Sequence, residues 1–193
     1  ADGFAPTGEL LSALTRDIEL FFLCNPNNPT GRLASPEVLR RVAAACAENG
    51  TLLMADECFI EFTDGDSLLP LLGAYPNLII LRAFTKFHGL AGLRLGYLLG
   101  DTALLGRIEA FGPAWSVSAA AQAAGLAALA EPGWDERTRS AVRAERAFME
   151  AGLAALGMTV FPSDANFLLF KSPAPLFEPL KARGILVRDC RNF

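Results

Sequence analysis

The 193-residue chain contains one histidine, His88, and four cysteines, Cys24, Cys46, Cys58 and Cys190, with no CxxC pair among them. A single imidazole leaves no histidine-based triad, and dispersed thiols supply neither a zinc set nor a disulfide framework, so no metal is expected. Reduced, buried thiols in a cytoplasmic protein fit this pattern. Charge is also sparse: charged residues make up 20% of the chain and the formal net charge is −4. No Lys/Arg cluster is interleaved with aromatics, so there is no electrostatic case for a nucleic-acid partner. Arg137, Arg139, Arg143 and Arg146 recur along one predicted helix, but Asp135, Glu136, Glu145 and Glu150 alternate with them, which reads as a solvated face. No apolar run reaches membrane-spanning length, no signal peptide opens the chain, and no internal repeat or low-complexity tract is seen.

What the chain does have is apolar content, 52% of its residues, enough for a substantial core in one large domain or a domain and a half. Ile18–Cys24, Thr51–Ala55 and Leu78–Leu81 are short apolar runs that read as buried strands. Ser35-Pro36-Glu37 starts a helix, with Ser35 as cap, Pro36 in the first position and Glu37 at the positive end of the dipole. Leu39, Val42, Ala43 and Cys46 then recur at helical spacing until Asn49-Gly50 closes the helix. The crossover at Phe59–Tyr75 is expected to be partly helical around Leu68–Leu72. Leu93–Leu99 follows so short a loop that it should pair antiparallel.

Further helices are predicted at Thr102–Ala110, Val117–Ala130 and Trp134–Leu156, and Ala119–Ala130 is alanine-rich in the manner of a buried helix. Beyond Gly157, strands at Met158–Phe161, Phe167–Lys171 and Ile185–Arg188 with a helix at Pro175–Arg183 suggest a separate βαβ-like unit. The fold class is therefore α/β, a mostly parallel, doubly covered sheet flanked by helices, with the start of a smaller α+β domain. The expected division is 1–140 and 141–193.

Three segments carry candidate chemistry. Asn25-Pro26-Asn27-Asn28-Pro29-Thr30-Gly31 follows the first predicted strand, Asp56 and Glu57 end the second, and Lys86 follows the third, with a glycine-punctuated loop and Arg94 eight residues on. In an open α/β sheet, ligands bind at the carboxyl ends of strands, and all three segments fall on that edge. A lysine at the mouth of a buried strand is costly to desolvate, which makes its amine a candidate nucleophile. Each residue also has a plain structural reading. Lys86 fits a surface lysine, Asp56 a turn or cap, Asn25–Gly31 a turn cluster, Trp115 a core anchor, and His88 a structural or dimer contact. Arg188 and Arg191 read as surface arginines.

Asn25–Gly31, Asp56–Phe62 and Leu81–Tyr97 together resemble the consecutive signature blocks of the class I/II aminotransferases, over nearly the whole chain. The resemblance implies a pyridoxal-phosphate (PLP) cofactor and a homodimer with the pocket at its interface. It makes Lys86 the catalytic Schiff-base lysine, Asp56 the partner of the pyridinium and Asn28 the donor to the 3′-oxygen. Arg94 and Thr85 become phosphate ligands, and Cys58 falls where a small residue meets the ring face. Phe59 replaces a frequent tyrosine and loses its hydroxyl donor. Ala83 replaces a frequent Ser/Thr, a loss worth about 1.5–3 kcal/mol where nothing compensates.

Trp115-Ser116-Val117 and the phenylalanine after Asp56-Glu57-Cys58 are similar to the threonine-phosphate decarboxylase branch, which implies a phosphorylated amino-acid substrate. Histidinol-phosphate aminotransferase is the alternative, and a ligand-sensing or inactive PLP-fold module is a third. Because the family's chains are longer at both ends, the sequence also reads as a central fragment, inactive alone.

Overall fold

β1 (Leu20–Cys24) is an aromatic-rich run that ends where Asn25-Pro26 breaks the extended chain. The computed structural model describes residues 4–191. α1 (Pro36–Asn49) begins as its capping chemistry dictates, with the Ser35 hydroxyl accepting from the Val38 N–H. It ends at Gly50, which turns left-handed at φ 74° while the Gly50 and Thr51 N–H groups close on Ala47 and Cys46 carbonyls. β2 (Leu52–Asp56) and β3 (Leu78–Ala83) follow, and β4 (Gly96–Gly100) completes one sheet of order β1-β2-β3-β4. The first three strands run parallel, and β4 runs antiparallel to β3 as its short connection requires.

The core lies between this sheet and α1. Leu23, Leu53, Ala55, Leu78 and Ile80 meet Val38, Leu39, Val42, Ala43 and Cys46, all buried. The second face is less covered than expected. Phe22 lies beside Met54 in the register and is 66% exposed, so the described residues bury β1 on one side only.

α2 (Thr102–Glu109) is capped by Asp101, α3 (Ala119–Ala130) by Ser118, and α4 (Trp134–Ala155) runs unbroken across 140/141. In α3 only Ala121 and Gly125 are buried, while Leu126 and Leu129 are exposed. The expectation of a buried alanine helix therefore holds for a single i, i+4 stripe, the one that meets Leu95 and Phe84.

β5 (Thr159–Val160) and β6 (Phe170–Lys171) form a separate antiparallel pair, and α5 (Phe177–Lys181) is shorter than predicted. The predicted strand at Ile185–Arg188 does not form. Its residues are irregular, because an apolar run becomes a strand only beside a partner edge, and none lies beside it among the described residues.

Candidate active site

The register sets Cys24, Asp56 and Leu81 abreast, so the segments that follow β1, β2 and β3 leave the sheet at one edge. After β1, Asn25 is fully buried and staples the loop: its N–H donates to the Asp56 carbonyl at 2.9 Å and its Oδ1 accepts from Ala34 N–H at 2.9 Å. The loop then turns tightly, with Gly31 at φ 71° and the Asn27 N–H donating to the Arg32 carbonyl. Asn28, half-buried on this loop, accepts a long hydrogen bond from Arg188 on Oδ1 (3.4 Å), which leaves its donor end, Nδ2, unoccupied by that contact.

The two carboxylates at the end of β2 have different tasks. Glu57 is fully buried and fully engaged: Arg82 grips it through Nε and a terminal nitrogen at 3.2 and 2.9 Å, and Ser67 Oγ and Leu68 N–H each donate at 2.7 Å. Burial works against the Arg82 charge, but Glu57 and Tyr97 outweigh it and raise its pKa. Asp56, by contrast, accepts from the Cys58 N–H at 2.9 Å, and no Lys or Arg pairs with it among the described residues. Burial, the hydrogen bond to Asp56 and its charge push the Cys58 thiol up to about 12, with Lys86 pulling the other way. Cys24 is raised too, by burial first, against the Asn28 N–H that faces it.

Beyond β3 the chain makes a turn that carries Thr85 and Lys86, closed by Gly89 N–H to Lys86 O and Leu90 N–H to Phe84 O, both 3.1 Å. Lys86 Nζ lies 5.9 Å from the Phe59 ring centroid, and Phe59 in turn meets Phe167 edge to face at 5.0 Å. Lys86 is exposed, however, and the burial expected of it is not provided by the described residues. A hollow of about 420 Å³ beside the turn is lined by Cys58, Arg82, Thr85, Arg94 and Tyr97, among others. Arg94 is a non-glycine residue in the left-handed region, φ 55° and ψ 44°, with its guanidinium bonded to the Ala91 carbonyl at 3.1 Å. Such backbone costs about 1–3 kcal/mol and gathers at functional sites.

Thus Cys58, Thr85 and Arg94 share one hollow, Asp56 and Lys86 both act on the Cys58 thiol, and Asn28 stands at the adjoining strand end. Trp115 takes no part in this grouping; it is 95% exposed. Sequence reasoning missed Arg82 and Asn25. The available signal for Arg82 was a charge inside an apolar strand, which demands a buried counter-charge.

The reading of the α4 arginines needs correction as well. All four pair with carboxylates, Arg139 with Asp135 and Arg146 with Glu150 among them, but Arg139 also donates to the Glu61 carbonyl (3.1 Å) and Arg146 to that of Ala165 (2.7 Å), fastening the helix to the loops it crosses.

Residues 5–193 match the sequence profile of aminotransferase class I and II. The chain belongs to this family. It is 38% identical to the threonine-phosphate decarboxylase of Salmonella typhimurium over 100% of its own length and 55% of the relative's. To a histidinol-phosphate aminotransferase of Symbiobacterium thermophilum it is 40% identical, over 95% of the chain and 52% of the relative. Among solved structures, the histidinol-phosphate aminotransferase of Clostridium acetobutylicum superposes with a TM-score of 0.91 at 28% identity, covering 100% of this aminotransferase chain and 60% of the other. That of Sinorhizobium meliloti, solved with pyridoxal-5′-phosphate, gives 0.86 at 29% identity, covering 97% and 54%. The chain spans about half the length of the curated relatives it matches.

Proposed function

We propose that this aminotransferase-family chain is part of a PLP-dependent enzyme acting on a phosphorylated amino acid. The supporting observation is the donor set at one sheet edge: a carboxylate without a cationic partner among the described residues (Asp56), an exposed primary amine (Lys86), and a hollow whose polar lining includes Thr85, Arg82 and Arg94. An anionic, phosphate-bearing pyridine needs these groups, so the residues fit the cofactor.

When bound, the cofactor supplies an electron sink for the pair left as a bond to the substrate's Cα breaks. Lys86 Nζ is the nucleophile that tethers it and the amine that moves protons at Cα. Asp56 would hold a proton on the ring nitrogen, and Asn28 would donate from Nδ2 to the 3′-oxygen. Thr85 and Arg94 would hold the phosphate. Cys58 would meet the ring as a neutral thiol, and Phe59 would offer no hydroxyl.

Within that class we infer decarboxylation of L-threonine O-3-phosphate. The Trp115-Ser116-Val117 segment, Phe59, and the 38% identity over the entire chain support it. Histidinol-phosphate transamination is the second reading, favoured by the 40% identity to relatives of that name. The reading carries with it a cytoplasmic homodimer and a division into a large-domain part, 1–140, and a small-domain part, 141–193. The test is made on the full-length protein: CO2 release from threonine phosphate against 2-oxoglutarate-dependent transfer from histidinol phosphate. Activity only in the second assay reverses the order, and activity in neither removes both.

A further inference from the structure

Three consecutive residues of the lysine turn meet one short 3₁₀ turn, Ile60–Phe62, and the residue that caps it. Lys86 Nζ stands over the Phe59 ring, Phe87 lies edge to face on Phe62 at 5.1 Å, and His88 Nε2 lies 3.8 Å from Glu61 Oε1. α4 holds the same pieces from outside: Trp134 Nε1 donates to the Phe87 carbonyl at 3.2 Å and Arg139 to that of Glu61. Phe87 is 2% exposed and anchors the turn in the interior. Lys86 and His88 lie on either side of it in the chain.

The histidine is an expensive residue for packing alone. Its side chain is 8% exposed, its ring lies against Phe84 and Phe87, and its Nδ1 is buried with no hydrogen-bond partner among the described residues. An unpaired buried nitrogen costs free energy that an aromatic hydrocarbon of similar shape avoids. Glu61, too, is kept where burial disfavours its charge, with His88 only partly compensating. Two polar side chains held at a cost beside Lys86 indicate a directional task that apolar contacts cannot perform.

We propose that His88 is a positioning residue for Lys86, its contact with Glu61 fixing the rotation of the turn that presents the amine. The inference rests on the PLP reading above. Its test uses the full-length protein with added PLP and measures two quantities: total bound cofactor by equilibrium dialysis, and the share fixed on the Lys86 peptide after borohydride reduction. His88→Phe keeps a ring against Phe84 and Phe87. It should lower the Lys86-linked share about threefold to tenfold while total binding and thermal midpoint stay near wild type. His88→Gln supplies a polar side chain able to donate toward Glu61 and should recover part of the loss, and Glu61→Leu removes the contact from the other side and should reproduce it.

A linked share unchanged in His88→Phe and Glu61→Leu overturns the proposal, as does a fall in total binding and linked share together, which marks a merely structural role. Wild-type protein that binds PLP on Lys86 with indifferent variants sinks this inference alone. Wild-type protein that binds none sinks the functional reading and this inference with it.

Discussion

Arg82 closes on Glu57 from the neighbouring strand, contacting one carboxylate oxygen through two nitrogens at 2.9 and 3.2 Å, with the carboxylate wholly out of solvent. The pair ties the end of β2 to β3, with Glu57 directly before the Cys58–Phe59 corner and Arg82 four residues before Lys86. Removing one member leaves a buried charge uncompensated. Arg82→Met should therefore cost about 3–5 kcal/mol in urea unfolding, and the Glu57→Gln/Arg82→Met double variant less than the single one.

Gly31 is the point at which the Asn28 loop touches the 163–165 segment. A Cβ there would fall on the Ser163 side chain, and φ is 71° besides. Gly31→Ala should lower stability by roughly 2 kcal/mol or more, measured as a shift in the unfolding midpoint. By displacing Asp164, which holds Arg32 and the Leu33 N–H, it should also weaken cofactor binding.

Two cysteines, Cys58 at the site and Cys46 in the α1 core, should be slow to react. Cys58 is pushed up to about 12 and Cys46 to about 11, so their thiolates are scarce at neutral pH. Iodoacetamide labelling followed by peptide mass should find both slow. Asp56 raises the Cys58 value, so Asp56→Asn lowers it and should speed labelling of Cys58 while leaving Cys46 unchanged. Equal rates at Cys58 in both proteins contradict the assigned contact.

Glu61 links stability to pH. Burial raises its carboxyl pKa above the ordinary value, His88 and Arg82 opposing. A carboxyl raised in the folded state contributes stability that is present below its unfolded pKa and is lost as pH rises through the folded one. Unfolding of wild type and Glu61→Gln, followed from acid to neutral pH, should show the variant gaining relative stability as pH rises. A relative loss over that range reverses the assigned sign.

Much of this arrangement was legible in the sequence. The apolar runs of β1 to β3 and the caps of α1 are local signals, and the short loop after Lys86 dictates an antiparallel β4. The segments bearing Asn28, Asp56 and Lys86 follow from where those strands end. Long-range facts were less visible. Arg139 and Arg146 have the spacing of a surface stripe, and only the loops they cross turn them into anchors. Ile185–Arg188 has strand composition, but strand formation depends on a neighbouring edge that composition does not encode. The exposure of Lys86 is likewise a matter of what packs over it rather than of its neighbours in the chain.

A crystal structure of the full-length protein with PLP tests the central claim most directly. The account predicts the ring nitrogen within about 3 Å of an Asp56 carboxylate oxygen, the phosphate against Thr85 and Arg94, and Lys86 Nζ at the aldehyde carbon. Cofactor held elsewhere, or a ring whose nitrogen faces away from Asp56, contradicts it.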